Sequence, residues 1–198
     1  MKRSILLLGI LLSVLLLFSG LSWTAQKEAK EDTSKAAPKP VFKYMGATSC
    51  KGCHNLPKTG KQFDKWSASS HAHAYLVLAS DQAKALAKEM KIKDAQKSEK
   101  CLVCHVTGYG VADSLLGTKY SVEEGVTCET CHGPGEKYKS MKIMKDKELA
   151  LKNGLIEPTE ELCVSCHNKE SPTYKPFKFA EAVKVIDHSY PPPAEEKK

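Results

Sequence analysis

The chain has 198 residues, of which 27% are charged and only 7% aromatic, and its formal net charge is +7. Its lysines are scattered rather than interleaved with aromatic residues that could stack on bases, so the basic charge gives no support for nucleic-acid binding. The region expected to fold, residues 41–190, has the length of one domain but a composition that allows only a modest conventional core.

The N-terminal segment, residues 1–25, is typical of a secretory signal peptide. Lys2 and Arg3 form a short basic region, and the leucine-rich run from Ile5 to Phe18 has the length of a signal-peptide core. The uncharged stretch also reaches the roughly 20 residues that span a bilayer, so a retained membrane anchor is the alternative. Both alternatives predict export to the periplasm, and the second adds attachment to the inner membrane.

The remaining chain divides into a linker, a folded domain and a tail. Residues 26–40 are charged and lack large apolar side chains, which predicts a flexible linker, and residues 191–198 open with three prolines and predict a disordered tail. Between them, strand signals are weak and apolar residues recur at helical spacing. We therefore expect a mainly α-helical, loop-rich domain over residues 41–190. The predicted helices cover residues 60–80, 81–91, a short stretch from 158 into the last cysteine motif, and 179–188.

All eight cysteines occur in four C-x-x-C-H motifs, the attachment signature of c-type haem. The two thiols can bond to the vinyl groups of one porphyrin, and the adjacent histidine can then reach the iron. Zinc held by paired cysteines and a set of four disulfides are the alternatives, but neither explains why a histidine follows every pair. The motifs predict four covalent haems that form the core of the fold. The thioether residues are Cys50, Cys53, Cys101, Cys104, Cys128, Cys131, Cys163 and Cys166, and the proximal iron ligands are His54, His105, His132 and His167.

The histidine count limits the second ligand on each iron. Four irons with two histidines each would need eight histidines, and the chain has seven. At least one iron must therefore take methionine, another group, a ligand from a neighbouring molecule, or no ligand. The distal candidates are His71, His73, His188 and Met141.

Two of these candidates lie on the predicted helix over residues 60–80. His71 and His73 are two positions apart, which on a helix places them on nearly opposite faces, so that they could serve two different haems. Among the methionines, Met141 and Met144 are favoured because they follow a tight Gly-Pro-Gly turn after the third motif. A methionine ligand raises the potential of a haem relative to histidine.

Further segments surround the motifs in a specific order. They are Trp66…His71-Ala72-x-Ala74, Cys104-His105-Val106-x-Gly108-Tyr109-Gly110, Gly125-Val126-x-Cys128-Glu129-x-Cys131-His132-Gly133-Pro134-Gly135, and Phe177-Lys178-Phe179 leading to His188. In order and local context, these segments resemble the tetrahaem cytochrome c-554 family over nearly the whole folded region.

This resemblance implies a periplasmic, mainly helical protein with closely packed haem pairs, which passes electrons from a hydroxylamine-oxidising enzyme towards the quinone pool. It implies three bis-histidine haems, with His71 and His188 as distal ligands, and a five-coordinate haem whose only protein ligand is His105. The family's remaining distal histidine follows the Gly-Pro-Gly turn, but residues 136–141 contain no histidine. His73 or Met141 compensates for it, or a second haem is open.

The favoured function is that of a periplasmic electron carrier between respiratory redox partner proteins. An enzyme is the main alternative, because an open iron at the His105 haem could bind nitric oxide, hydroxylamine or a similar small nitrogen oxide. The chain has no C-x-x-C-K motif of the kind that marks the catalytic haem of pentahaem nitrite reductases. A third hypothesis is a haem-wire subunit of a filament or of a quinol-linked membrane complex.

Overall fold

The computed structural model describes residues 41–190, which form short α-helices joined by turns, 3-10 helices and loops. The predicted mainly helical, loop-rich fold is confirmed: within these residues the β-structure is an isolated bridge between Tyr44 and Leu116. The predicted signal peptide or anchor, linker and tail lie outside the described residues. The helices are α1 Thr48–His54, α2 Gln62–Ser67, α3 Asp81–Glu89, α4 Glu99–His105, α5 Cys128–His132, α6 Met141–Met144, α7 Lys147–Lys152, α8 Glu160–Val164 and α9 Phe179–Ile186.

Several of these short helices begin at a side chain that accepts a hydrogen bond from the first turn. Ser80 caps α3, Thr127 caps α5, Asp146 caps α7 and Thr159 caps α8. Such caps pair backbone N–H groups that have no partner within the helix, and helices of one or two turns depend on them strongly. None of the helices in the described part of the chain is long and apolar enough to cross a membrane.

The continuous helix predicted over residues 60–80 is wrong. Helix α2 ends at Ser67, and turns followed by a 3-10 helix complete the segment. Three serines, at positions 67, 69 and 70, follow Trp66, and their hydroxyl groups compete for backbone partners. The Ser67 hydroxyl donates to the carbonyl oxygen of Asp64 at 3.0 Å. His71 and His73 therefore lie on turns, and the argument that placed them on opposite helix faces does not apply.

The other predicted helices form close to their expected positions. Helix α3 occupies most of 81–91, and α8 begins within two residues of Pro158. Helix α9 begins at the start of 179–188 but ends before His188, which lies on the chain that leaves the helix.

The ordinary apolar core is small. Leu78, Ala87 and Ala95 form a buried cluster beside α3 and α4. Large apolar side chains elsewhere remain exposed, including Val103 at 60% and Val185 at 85%. Val103 belongs to the second cysteine motif and Val185 to the helix that leads to His188, so both are exposed beside predicted haem ligands. This distribution fits the expectation that covalent haems complete the core.

Candidate haem-binding sites

Each C-x-x-C-H motif begins on a short helix and presents its histidine at or just beyond the helix end. Helices α1, α4 and α5 end on His54, His105 and His132. His167 lies on the turn after α8, where its N–H donates to the carbonyl oxygen of Cys163 at 2.9 Å. Cysteines three positions apart share one side of a helical turn, so each motif can present two thiols and an imidazole to one cofactor.

The zinc and disulfide alternatives find no support in the arrangement of the side chains. None of the eight cysteines, all of which lie in residues 41–190, forms a disulfide. Over the same residues, no group of three or more histidine, cysteine, aspartate or glutamate side chains is arranged to hold a metal ion directly.

The motifs are neighbours in space in an order that differs from their order in sequence. The Cys50 thiol of the first motif and the Cys128 thiol of the third lie close enough to interact, which raises the pKa of Cys50 and lowers that of Cys128. Burial, followed by the neighbouring thiols of the fourth motif, raises the pKa of Cys131. Burial and the adjacent Cys166 thiol raise the pKa of Cys104, in the second motif, to about 11. The spatial order is therefore first, third, fourth, second.

Two pairs of histidines face each other. The ring centres of His71 and His167 are 6.0 Å apart, and those of His132 and His188 are 5.8 Å apart. A metal held between two imidazoles by bonds of about 2.0 Å separates their ring centres by about 6 Å. Edge-to-face packing of two rings covers the same range. Each pair here, however, joins one motif histidine to one histidine outside the motifs, which fits an iron between them.

Burial keeps members of both pairs in the form that binds a metal. It lowers the pKa of His71, to which the neighbouring His167 also contributes. It likewise lowers the pKa of His132, with a smaller contribution from His188. A neutral imidazole is the form that ligates a metal, so these side chains need not lose a proton near neutral pH to do so.

Backbone carbonyl groups orient further imidazoles. Nδ1 of His105 donates to the oxygen of Ala74 at 2.6 Å, and Nδ1 of His188 donates to the oxygen of Ile186 at 2.9 Å. In a neutral imidazole, a bond of this kind places the proton on Nδ1 and leaves Nε2 available to a metal. His105 is thus oriented as a ligand without belonging to either facing pair.

His73 has a different environment from the other two distal candidates. It is exposed, and its Nδ1 donates to the carbonyl oxygen of Ser69 at 2.9 Å. The structure therefore brings His71 and His188 to motif histidines, whereas His73 faces no motif histidine within residues 41–190, and its ligation of iron stays a prediction.

One large cavity joins the first and third motifs. Its volume is about 1100 Å³, and the two cysteines and the histidine of each of these motifs line it, including His54 and His132. His71 and His188 also line it, as do both methionines of α6. The predicted candidate Met141 is thus placed with the first and third motif histidines.

A buried carboxylate that sequence reasoning missed connects the first motif to the third. Glu129 lies between the cysteines of the third motif and is 2% exposed. It accepts hydrogen bonds from the N–H groups of Met45, Gly46 and Gly135 at 2.7 to 2.9 Å. Burial raises the pKa of Glu129, and these N–H groups partly offset that effect. The acidic residue between the two cysteines of the motif was a signal that could have suggested a structural carboxylate. It could not have shown which backbone N–H groups the carboxylate binds.

A second carboxylate acts on the first motif helix. Glu124 accepts from the N–H of Ala47 at 2.8 Å and from the N–H of Thr48 at 3.2 Å, where α1 begins. Together, Glu124 and Glu129 pair four consecutive backbone N–H groups that precede the first motif. These contacts fix α1 against the segment that enters the third motif.

The four motif helices and the facing histidine pairs define a multihaem c-type cytochrome. A sequence model of the family described as "Cytochrome c554 and c-prime" matches residues 49–133. Cytochrome c-554 of Nitrosomonas europaea is 32% identical over 154 residues, which cover 67% of this chain and 61% of that protein. The solved structure of reduced cytochrome c554 from Nitrosomonas europaea is 27% identical, with 74% of this chain and 79% of that chain covered and a TM-score of 0.47.

The chain belongs to the cytochrome c554 family. It spans 61% of the length of the relative from Nitrosomonas europaea. Covalent haem c follows at the level of the family.

Proposed function

We propose that the chain is an exported, periplasmic tetrahaem cytochrome that transfers electrons between respiratory redox partners. The observation that carries this proposal is the pairing of His71 with His167 and of His132 with His188, at separations of 6.0 and 5.8 Å that suit an iron between each pair. Covalent haem c supplies one-electron redox chemistry at its iron when it is bound.

The side chains divide the binding of the cofactors among them. The cysteines of each motif would attach one haem, and each motif histidine would supply one ligand to its iron. His188 would supply a further ligand together with His132, and His71 together with His167. The thiols of neighbouring motifs lie close enough to alter one another's pKa, which supports a row of attachment points in the order first, third, fourth, second.

The compartment and partners are inferred from the sequence. The segment 1–25 supports export, by cleavage of a signal peptide or as a retained anchor to the inner membrane. The lysine-rich composition supports docking to acidic surfaces of redox partner proteins, because charge complementarity accelerates encounter. A quinol-linked membrane complex is the partner expected if the anchor is retained.

A small-ligand site at the haem of the second motif is the second candidate function. The hydrogen bond to Ala74 fixes His105 as a ligand, and the two facing pairs already use four of the other histidines. A haem held by His105 alone would have an open face for nitric oxide, hydroxylamine or a similar small nitrogen oxide. A reductase acting at that face is the corresponding enzymatic function.

The experiment uses the full chain matured with haem. Intact mass and haem quantification are expected to give four covalent haems, and EPR of the ferric protein reports the spin state of each. His188→Ala and His71→Ala should each convert one additional low-spin haem to high spin, whereas the matched variant His73→Ala should leave the spectrum unchanged. Fewer than four haems, or low-spin signals that survive both substitutions, would overturn the proposal.

A further inference from the structure

The first motif, like the second, has no histidine that faces its own motif histidine in the described residues. The facing pairs use His71 with His167 and His132 with His188. His105 belongs to the second motif, and His73 is exposed and does not line the cavity that contains His54. The haem attached beside His54 must therefore take a ligand of another chemical type, or none.

Methionine is the other neutral ligand that this cavity offers. Met141 and Met144, both on α6, line it together with His54, whereas Met45 and Met90 do not. A thioether is soft and polarisable and is an established axial ligand of c-type haem. Lys139 also lines the cavity, but an ammonium group would have to lose its proton before it could bind iron.

The chain that leads to α6 is held in place from the third motif. Tyr138 is 4% exposed, and its hydroxyl donates to the carbonyl oxygen of Gly133 at 2.6 Å. The N–H of Lys139 donates to the carbonyl oxygen of Gly135 at 3.1 Å. These bonds fix the turn after the third motif, so the start of α6 has a defined position at the cavity wall.

The environments of the two methionines differ. Met141, the first residue of α6, is 64% exposed, so most of its side chain is not packed against protein atoms. Met144 is half-buried on the same helix. A large apolar side chain that lines a cavity without being packed there is available to a cofactor that fills the cavity.

We infer that the Met141 thioether is the sixth ligand of the haem attached by Cys50 and Cys53, opposite His54. This inference rests on the proposed tetrahaem function and deepens it. The first haem then has histidine–methionine ligation, next to a bis-histidine haem at the third motif. Methionine ligation raises the potential of the first haem relative to that neighbour, so these two adjacent haems differ in their affinity for an electron.

The test uses the full chain with its haems, and Met144→Leu serves as the matched control on the same helix. The ferric wild-type protein and Met144→Leu are expected to show the long-wavelength sulfur-to-iron charge-transfer band, which Met141→Leu should lose. Reduced Met141→Leu should bind one more carbon monoxide per chain than the wild type. Met141→His should lack the band, bind no additional carbon monoxide and lower the potential of one haem.

The outcomes separate this inference from the proposed function. Intact mass that shows fewer than four haems contradicts the tetrahaem proposal itself. Four haems without a charge-transfer band in the wild type overturn the Met141 assignment alone. A band that Met144→Leu abolishes and Met141→Leu retains also overturns it, in favour of the neighbouring methionine.

Discussion

Replacing Glu129 with glutamine should destabilise the domain, although the two side chains have nearly the same shape. One carboxylate oxygen, Oε1, accepts from the N–H groups of Met45 and Gly135, and the other, Oε2, accepts from those of Met45 and Gly46. Both oxygens are thus acceptors, and Glu129 is 2% exposed, so water cannot replace them. A glutamine amide has one oxygen and one NH₂ group, which can only donate.

Either orientation of the amide leaves one backbone donor without a partner. With its oxygen at the Oε1 position, the NH₂ group faces the N–H of Gly46. With its oxygen at the Oε2 position, the NH₂ group faces the N–H of Gly135. An unpaired buried donor costs about 1–3 kcal/mol, and bonds to a neutral acceptor are weaker than bonds to a carboxylate by roughly 1 kcal/mol each.

The net effect is smaller than the sum of these losses. Glutamine removes the cost of burying a charge, which is the main cause of the raised pKa of Glu129. We therefore expect Glu129→Gln to lower the free energy of unfolding by about 2–3 kcal/mol. For a chain of this length, that loss corresponds to a decrease of roughly 4–12 °C in Tm. Glu129→Ala, which unpairs all three donors, should cost about 3–6 kcal/mol.

The assay is thermal and denaturant unfolding of the fully haem-loaded protein, followed in the far ultraviolet. Glu123→Gln is the control, because Glu123 is exposed and lies in the same part of the chain. A change at that exposed position should alter stability by no more than about 0.5 kcal/mol. If Glu129→Gln and Glu123→Gln unfold at the same temperature with equal haem content, Glu129 does not anchor the first motif and the reasoning fails.

Two smaller effects follow from the same region. Glu124→Gln weakens the cap on α1 and should cost about 0.5–1 kcal/mol, measured by denaturant unfolding beside Glu123→Gln; an effect as small as that of the control would contradict the cap. Tyr138→Phe removes the bond to Gly133 and leaves a buried carbonyl group short of a donor, with an expected loss of about 1–2 kcal/mol. In that variant an unchanged Tm would show that the hydroxyl bond does not stabilise the turn before α6.

The sequence allowed the local chemistry to be predicted well. A C-x-x-C-H motif is a contiguous unit whose geometry depends on one helical turn, so the four motif helices could be expected from the residues themselves. Helix α3 could be predicted equally well, because its strong helix formers follow a serine that caps the helix. The mainly helical class could be derived for the same reason.

The segment from 60 to 80 shows where local reasoning failed. Its apolar spacing is helical, but the serines after Trp66 offer the backbone other partners, and the chain turns. The turn is then fixed from elsewhere: the indole N–H of Trp66 donates to the carbonyl oxygen of Val126 at 2.8 Å. Trp66 and Val126 are 60 residues apart in sequence, and no pattern of neighbouring residues indicates such a contact. The position of His71 could therefore not be predicted.

The pairing of distal histidines with motifs could not be predicted either, because it also depends on contacts between residues far apart in sequence. His188 lies opposite His132, and His71 lies opposite His167, although each is separated from its partner by more than 50 residues. Nothing in the spacing of histidines encodes which pair will form. Only the number of histidines limited the possible ligation, because seven histidines leave at least one of four irons without a second histidine.

The segment from Glu124 to Glu129 determines several haem environments at once. Its two carboxylates hold the chain that enters α1, and its Val126 pairs with the turn that carries His71: the Val126 N–H donates to the carbonyl oxygen of His71 at 3.0 Å, and its carbonyl accepts from Trp66. The first motif, the third motif and the distal ligand opposite the fourth are thus positioned by one stretch of backbone. In a domain with so small an apolar core, these polar bonds rather than packing fix the haem ligands relative to one another. A shift of this segment should therefore perturb three haems together, whereas a shift of α9 should perturb only the haem that His188 completes.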